Sequence, residues 1–243
     1  MARQTFPSPS SISGARALGA VARWPLGMAI TSWRYMWMTT PLHRGEEQGG
    51  ADDLPDPVPE QYVDAKLKPL TDGVGPLLHR RFSVLIRGSD RAPDDVMDEI
   101  MDNLNVAVPS EVAFFRKTKG SDGPVRAGDE YVVRMPGPWD GPVRVIHQDA
   151  TSFRFATLAG HLEAGQIEFR ISRADALLKF EIETWARAGD RLSHLLYSVL
   201  RVSKEVQLNM WLHFCLSAAA LAGGRPHGGV TIRTHMVDES YVS

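Results

Sequence analysis

Few residues in this chain have the type and setting to do chemistry, and each has a plainer use. His161 sits in a glycine-flanked turn, Leu158-Ala159-Gly160-His161. An imidazole there could contact a ligand at a cavity mouth, or move a proton near neutral pH. The preferred, plainer reading is a turn histidine that fixes backbone hydrogen bonds. Trp139 lies between Gly137-Pro138 and Asp140-Gly141 and either caps a cavity or plugs the next strand. Ser203, His213 and Ser217, on a long apolar segment, could orient a ligand, since pockets set a few polar groups into apolar walls. Such residues more often bond to backbone or buried water.

Other chemistries lack their residues. The eight histidines are scattered, and no pair has the spacing of a zinc motif. Gly223-Gly224 and Gly228-Gly229 follow a helical segment, so they do not form a phosphate loop. The one cysteine, Cys215, lies on an apolar helix, where it reads as inert packing, and no serine stands in a nucleophile elbow. No catalytic set, metal site or cofactor is expected. His161 stays as the single candidate acid or base.

The elements that would position these groups are legible from parity. Phe82, Val84 and Ile86 share one side of RRFSVLIRG (80–88), and Ala92 to Leu104 reads as a helix with Pro93 near its start. Beyond it Tyr131, Val133 and Met135 share a face, followed by Val143 and Val145, then by Phe153, Phe155 and Thr157. Ile167, Phe169 and Ile171 continue it, then Phe180 and Ile182. The opposite parity holds Arg134, Arg144, Arg154, Glu168, Arg170, Lys179, Glu181 and Glu183. One greasy face and one charged face predict an antiparallel sheet open to water on one side, with charge pairs across the ladder. Residues 190–222 then form one long helix, with Leu192, Leu196, Val199, Ser203, Val206, Met210 and Phe214 turned to the sheet. From Leu208 its back becomes apolar too and needs a cover: the tryptophan-rich segment 24–38, or a second subunit.

Charge is unevenly distributed. Residues 1–45 carry five arginines and no acid, whereas Glu46 to Glu60 carries only acids. The net charge of −2 argues against a nucleic-acid partner. Residues 1–14 read as a disordered tail and 16–38 as helical, with Leu26, Ile30, Trp33 and Trp37 on one stripe. This arm either lies on an anionic membrane surface or, as preferred, packs on the back of the long helix. No stretch approaches the roughly 20 apolar residues of a membrane span, and the single cysteine fits a reducing compartment. A cytoplasmic protein is expected, with the inner membrane surface as a peripheral site. The expected units are 1–45, a tail and basic helical extension; 46–78, an acidic linker and connector; and 79–243, the folded domain.

The string GPWDGPVRV (137–145), followed by SFRFATLAGHLEAGQIEFRI (152–171), resembles the uncharacterised DUF1990 family. The shared pattern here is Thr157, Leu158, Gly160, His161, Gly165 and Phe169. The segment 24–37 is similar to that of longer bacterial members, and the likeness covers most of 16–236. Many members carry acids after the glycine, where this chain has Gln166-Ile167. The family looks like a branch of the helix-grip superfamily, with START lipid-transfer domains, plant ligand-binding allergens and aromatase/cyclases. The resemblance implies a cavity under the C-terminal helix and no particular activity.

The expected fold is therefore α+β, a helix-grip fold: a curved antiparallel sheet wrapped on a long C-terminal helix, with an N-terminal helical extension. The expected function is binding or transfer of a hydrophobic small molecule, lined by Tyr131, Val133, Trp139, Phe153, Phe155, His161, Phe169, Ser203, Met210 and His213. A cyclase/dehydratase-like enzyme in the same cavity is the alternative, as is a structural or interaction module whose cavity its own side chains fill. Besides the small molecule, the expected partners are a membrane surface or protein through residues 16–44, and a second copy of the chain as a homodimer.

Overall fold

The computed structural model describes residues 41–108, 113–134, 140–189 and 201–242, with the side chains of 201–207 left aside. Nine strands form one sheet: β1 (Leu42–Gln48), β2 (Val74–Arg87), β3 (Phe114–Lys119), β4 (Glu130–Arg134), β5 (Asp140–Gln148), β6 (Ser152–Thr157), β7 (Glu163–Ala174), β8 (Leu177–Ala188) and β9 (Arg225–Val237). Their spatial order is β1-β9-β2-β8-β7-β6-β5-β4-β3. Every neighbouring pair is antiparallel except β1 and β9, which run parallel at one edge. Two α-helices, α1 (Pro93–Asp102) and α2 (Arg201–Leu221), and five short 3-10 turns complete the described elements.

Helix α2 packs on β2, β8 and β9 and touches α1. This is the helix-grip arrangement expected from the sequence. Alternation places the core as predicted: Phe82, Val84, Ile86, Val145, Phe153, Phe155, Phe169, Ile171, Phe180 and Ile182 are all buried on the helix side. Met210 and Phe214 of α2 close on them, and Val96, Met97 and Ile100 of α1 join the same cluster. At about 25 cal/mol per Å² of apolar surface, this face is the main source of stability.

Two expectations need correction. The charged face is not open to water: Arg144, Glu168, Glu181, Glu183 and Arg187 are all buried. The acidic stretch read as a linker lies over them as a strap, built of short 3-10 turns at Ala51–Asp53, Glu60–Tyr62 and Leu70–Asp72. Sheet arginines and a lysine partner the buried glutamates, and strap backbone and strap acids partner the buried arginines, as burial of polar groups demands. Arg144 donates to Tyr62 O and Asp64, Gln166 to Asp56 O, and Arg187 to Leu70 O. Beneath the strap, Leu77, Trp185, Val237 and Val242 form a second small core with Leu54 and Leu70.

Second, Leu42–Gln48 is a strand, not part of the extension and linker. Six of its seven residues are exposed, so it has no alternation to read, and its pairing with β9 holds it. Beyond the helix, Arg225–Val237 is a thirteen-residue strand, a stretch the sequence reading left unassigned. Gly228 and Gly229 both have positive φ, and the β2–β9 register shifts beside them, so they form a bulge within the strand.

Cross-strand charge pairing is as expected. Glu130 faces Arg144, Arg154 faces Glu168, and Arg81 faces Glu183, each pair in ion contact. The tryptophan-rich arm, and with it the expected cover for α2, lies outside the described residues, as do residues 190–200 of the expected long helix. Among the described residues no helix is long and apolar enough to cross a membrane.

Candidate functional site

Between the inner face of the sheet and α2 lies a cavity of about 80 Å³. Its apolar wall is Phe115, Val133, Val143, Phe155, Phe169, Met210 and Trp211. The aromatic rings interlock. Phe153 stacks on Phe169 at 4.7 Å, Phe169 meets Phe214 at 4.9 Å and Trp211 at 5.7 Å, and Phe155 meets Tyr131 edge-on at 5.7 Å. Such pairs add roughly 0.5–1.5 kcal/mol each beyond their buried area.

Polar groups gather at one end of the cavity, where β6 and β7 meet the strap. Thr157 closes the end of β6: its hydroxyl donates to Lys68 O (3.0 Å) and accepts from Gly165 N (2.9 Å). Gly165 is required there, because a Cβ would lie 1.9 Å from Trp185 O on the adjoining strand. Lys68 also donates to His161 O at 2.6 Å, tying the strap to the histidine turn. His161 itself is half-buried. Its Nδ1 lies 3.0 Å from Glu163 N and 3.1 Å from Glu163 O, so its own turn fixes the ring. Nε2 faces Gly141, where an added Cβ would come within 3.0 Å. Burial, against a weaker opposing hydrogen bond to Glu163, lowers the imidazole to about 4 and keeps it neutral at pH 7. Arg80, Glu163 and Thr184 also border the cavity.

Of the ten residues expected at the cavity, Val133, Phe155, His161, Phe169 and Met210 line it. Tyr131 and Phe153 are buried one layer behind, packed on Phe155. His213 is half-buried on α2 and does not reach the cavity lining. Trp139 and the Ser203 side chain lie outside the described residues. Sequence reading missed Phe115, Arg80 and Trp211. Trp211 was assigned to the apolar back of the helix, while its ring in fact meets Phe169. Cys215 is buried, and burial pushes its thiol up, away from nucleophilic use.

A second cluster forms on the opposite face, from residues with no sequence spacing in common. His79 of β2 and His235 of β9 are cross-strand partners, and both point their Nδ1 atoms at Asp53 Oδ1, at 2.8 and 2.6 Å. Asp53 Oδ2 accepts from Gly50 N. Burial would raise Asp53, but hydrogen bonds from Gly50, His235 and His79 outweigh it and hold the carboxyl at about 2. His79 stacks on Trp185 (centroids 5.3 Å apart), and its Nε2 lies 2.7 Å from Glu183 Oε1. Burial lowers His79, against the opposing pull of Asp53.

No curated protein matches the chain. Solved structures similar to it include the di-domain ARO/CYC StfQ from the steffimycin biosynthetic pathway, at 10% identity and a TM-score of 0.46. That match covers 63% of this chain and 52% of the other, so the chain spans about half of that protein. Major latex-like protein 151 from Panax ginseng shares 14% identity at a TM-score of 0.37, over 55% of this chain and 97% of that one. A hypothetical protein from Helicobacter pylori shares 8% identity at a TM-score of 0.45, over 68% of this chain and 94% of that one. Residues 106–215, just under half of the chain, match the family described as Domain of unknown function (DUF1990).

Proposed function

We propose that the protein binds a slender hydrophobic small molecule in the cleft between the sheet and α2, without turning it over. The observation that supports this reading is the composition of the cavity: an aromatic and aliphatic wall with a few fixed polar groups, Thr157 and His161, at one end. A neutral His161 can exchange a hydrogen bond with a polar atom of the ligand. It is a poor general acid at neutral pH, which disfavours the cyclase/dehydratase reading.

The volume bears on how the ligand gets in. Pockets for drug-sized ligands span roughly 300–1,000 Å³, several times the 80 Å³ found here. Binding therefore requires side chains to swing aside, and Met210, with three rotatable bonds, is the most adaptable group in the wall. The same small volume favours a second reading, in which the cleft is a filled core and the protein is a structural or interaction module.

Native mass spectrometry of the protein purified from its own host, followed by organic extraction, separates the two. The binding reading expects a recurrent apolar molecule that is lost in Met210→Glu. An empty protein that also takes up no fluorescent lipid or polycyclic probe would sink it and leave the filled module.

A further inference from the structure

We propose that Asp53, His79 and His235 form a binding site for a divalent transition-metal ion that fastens the strap to the sheet. The three ligand atoms, Asp53 Oδ1 and the two Nδ1 atoms, lie within 4.8 Å of one another. Ligands of a tetrahedral zinc ion, at bonds of about 2.0–2.2 Å, stand roughly 3.3 Å apart. Moving the Asp53 carboxylate outward by less than about 1 Å opens that room, and its turn sits on the exposed side of the cluster. Two imidazoles and one carboxylate, with further positions free, are a donor set that suits zinc and its first-row neighbours.

The hydrogen-bond inventory of His79 is the second observation. Both of its ring nitrogens face carboxylate oxygens, Asp53 at Nδ1 and Glu183 at Nε2. Ionised carboxylates only accept, and a neutral imidazole has only one N–H to give. With a neutral ring, one lone pair is therefore set against a carboxylate at under 3 Å, in a residue whose side chain is 8% exposed. A cation on Nδ1 removes this conflict. Nε2–H then donates to Glu183, and the metal takes the place of the proton between Nδ1 and Asp53.

Glu183 is built for that outer role. Its carboxylate is held by Arg81 at 2.5 Å and by Arg170, so its orientation and charge are fixed from behind. A carboxylate that receives the distal N–H of a ligating histidine fixes the tautomer and raises the basicity of the ligand. Trp185 stacks on the ring from the neighbouring strand and sets its plane. Arg81 and Arg233 are the cations in the wall, and the Arg81 charge is taken up by Glu183. An adjoining cleft of about 120 Å³ leaves one side of the ligand set open to water. The ion would join three stretches far apart in the chain: the strap, β2 and β9.

The test uses the full chain, stripped with a chelator and titrated with Zn²⁺ by calorimetry and with Co²⁺ by visible absorption. One equivalent should bind, with the d–d bands of low-coordinate Co²⁺, and Zn²⁺ should raise the melting temperature. His235→Asn, at the more exposed ligand, should fold as judged by circular dichroism and weaken binding by at least about 10–100-fold, the loss typical even of an outer-shell partner. Asp53→Asn should do the same, and His147→Gln, a histidine elsewhere on the surface, should change nothing. Absence of binding by the parent protein overturns the proposal. So does binding that survives both His235→Asn and Asp53→Asn, which would place the ion elsewhere.

Discussion

Along β7 the side chains of Phe169 and Ile171 enter the aromatic core, while Glu168 and Arg170, between and beside them, enter an ion network on the other face. Both sides are shielded from water, by different means. The inner side excludes water with apolar side chains that ask for no partner. On the outer side Glu168 and Glu183 face each other directly across the ladder, and Arg170 and Arg154 compensate them. Strap carbonyls and acids then receive hydrogen bonds from Arg144, Arg154 and Arg187. The inner face gains stability by burial itself. The outer face breaks even on burial and gains instead a defined position for the strap, since buried ion pairs are weak contributors to net stability.

That contrast can be broken on either side. The largest effect is expected from Phe169→Ala, which removes a ring packed on Phe153, Trp211 and Phe214. A loss of about 3–5 kcal/mol is expected from chemical denaturation. A loss under about 1 kcal/mol would show the cluster to be loosely packed, like an expandable pocket.

Arg144→Ala tests the outer face. It strands the buried Glu130 carboxylate, and removing one partner of a buried pair costs about 3–5 kcal/mol. Lys66 and Lys119 stay at 3.3 and 3.5 Å from Glu130, so a smaller loss, about 2–3 kcal/mol, is expected here. Arg144→Met, which keeps volume without charge, should not recover stability to the parent level, because Glu130 is still buried.

The smallest effect is local and driven by acid. A hydrogen bond from Arg144 holds Asp64 at about 2, and Arg144 and Lys66 hold Glu130 below its ordinary value against the effect of burial. Both carboxyls are depressed by folding, so their contribution is present above the ordinary carboxylate range and lost as pH falls through the folded values. Between about pH 4 and 2 the strap should loosen first. Hydrogen exchange at Lys66 and Leu67, whose amides donate to Asp64, should speed up before exchange in β7 does. Simultaneous loosening of both would show that the strap is not a separate layer.

The inner face was legible because alternation is local: two residues of spacing suffice to say that Phe153, Phe155 and Phe169 point the same way. The long helix was legible for the same reason. The outer face was half legible. Its charges were visible, but the GEEQGGADDLPDPVP stretch that covers them has a linker's composition and docks through its backbone, which leaves no residue pattern. Strand β1 was hidden because an exposed edge needs no alternation, and β9 because its bulge glycines resemble a helix end. The Asp53–His79–His235 cluster joins residues 26 and 182 positions apart, so only the sheet register reveals it. The one available signal was outward parity, which places His79 with Arg81 on the charged side. The family likeness read over 16–236 is matched over 106–215.

The parallel pairing of β1 with β9 sets an order in time. A ribosome makes Leu42–Gln48 early, but its pairing partners, Val230 to Met236, emerge only after nearly two hundred further residues. Until then β2 has no neighbour on its β1/β9 side, and the carboxylate of Asp53 has only one of its two imidazoles. The nascent chain must therefore keep an acidic, soluble leading segment waiting beside a half-built sheet. Its shortage of apolar residues, which disguised it as a linker, also protects it from premature collapse and aggregation during that wait.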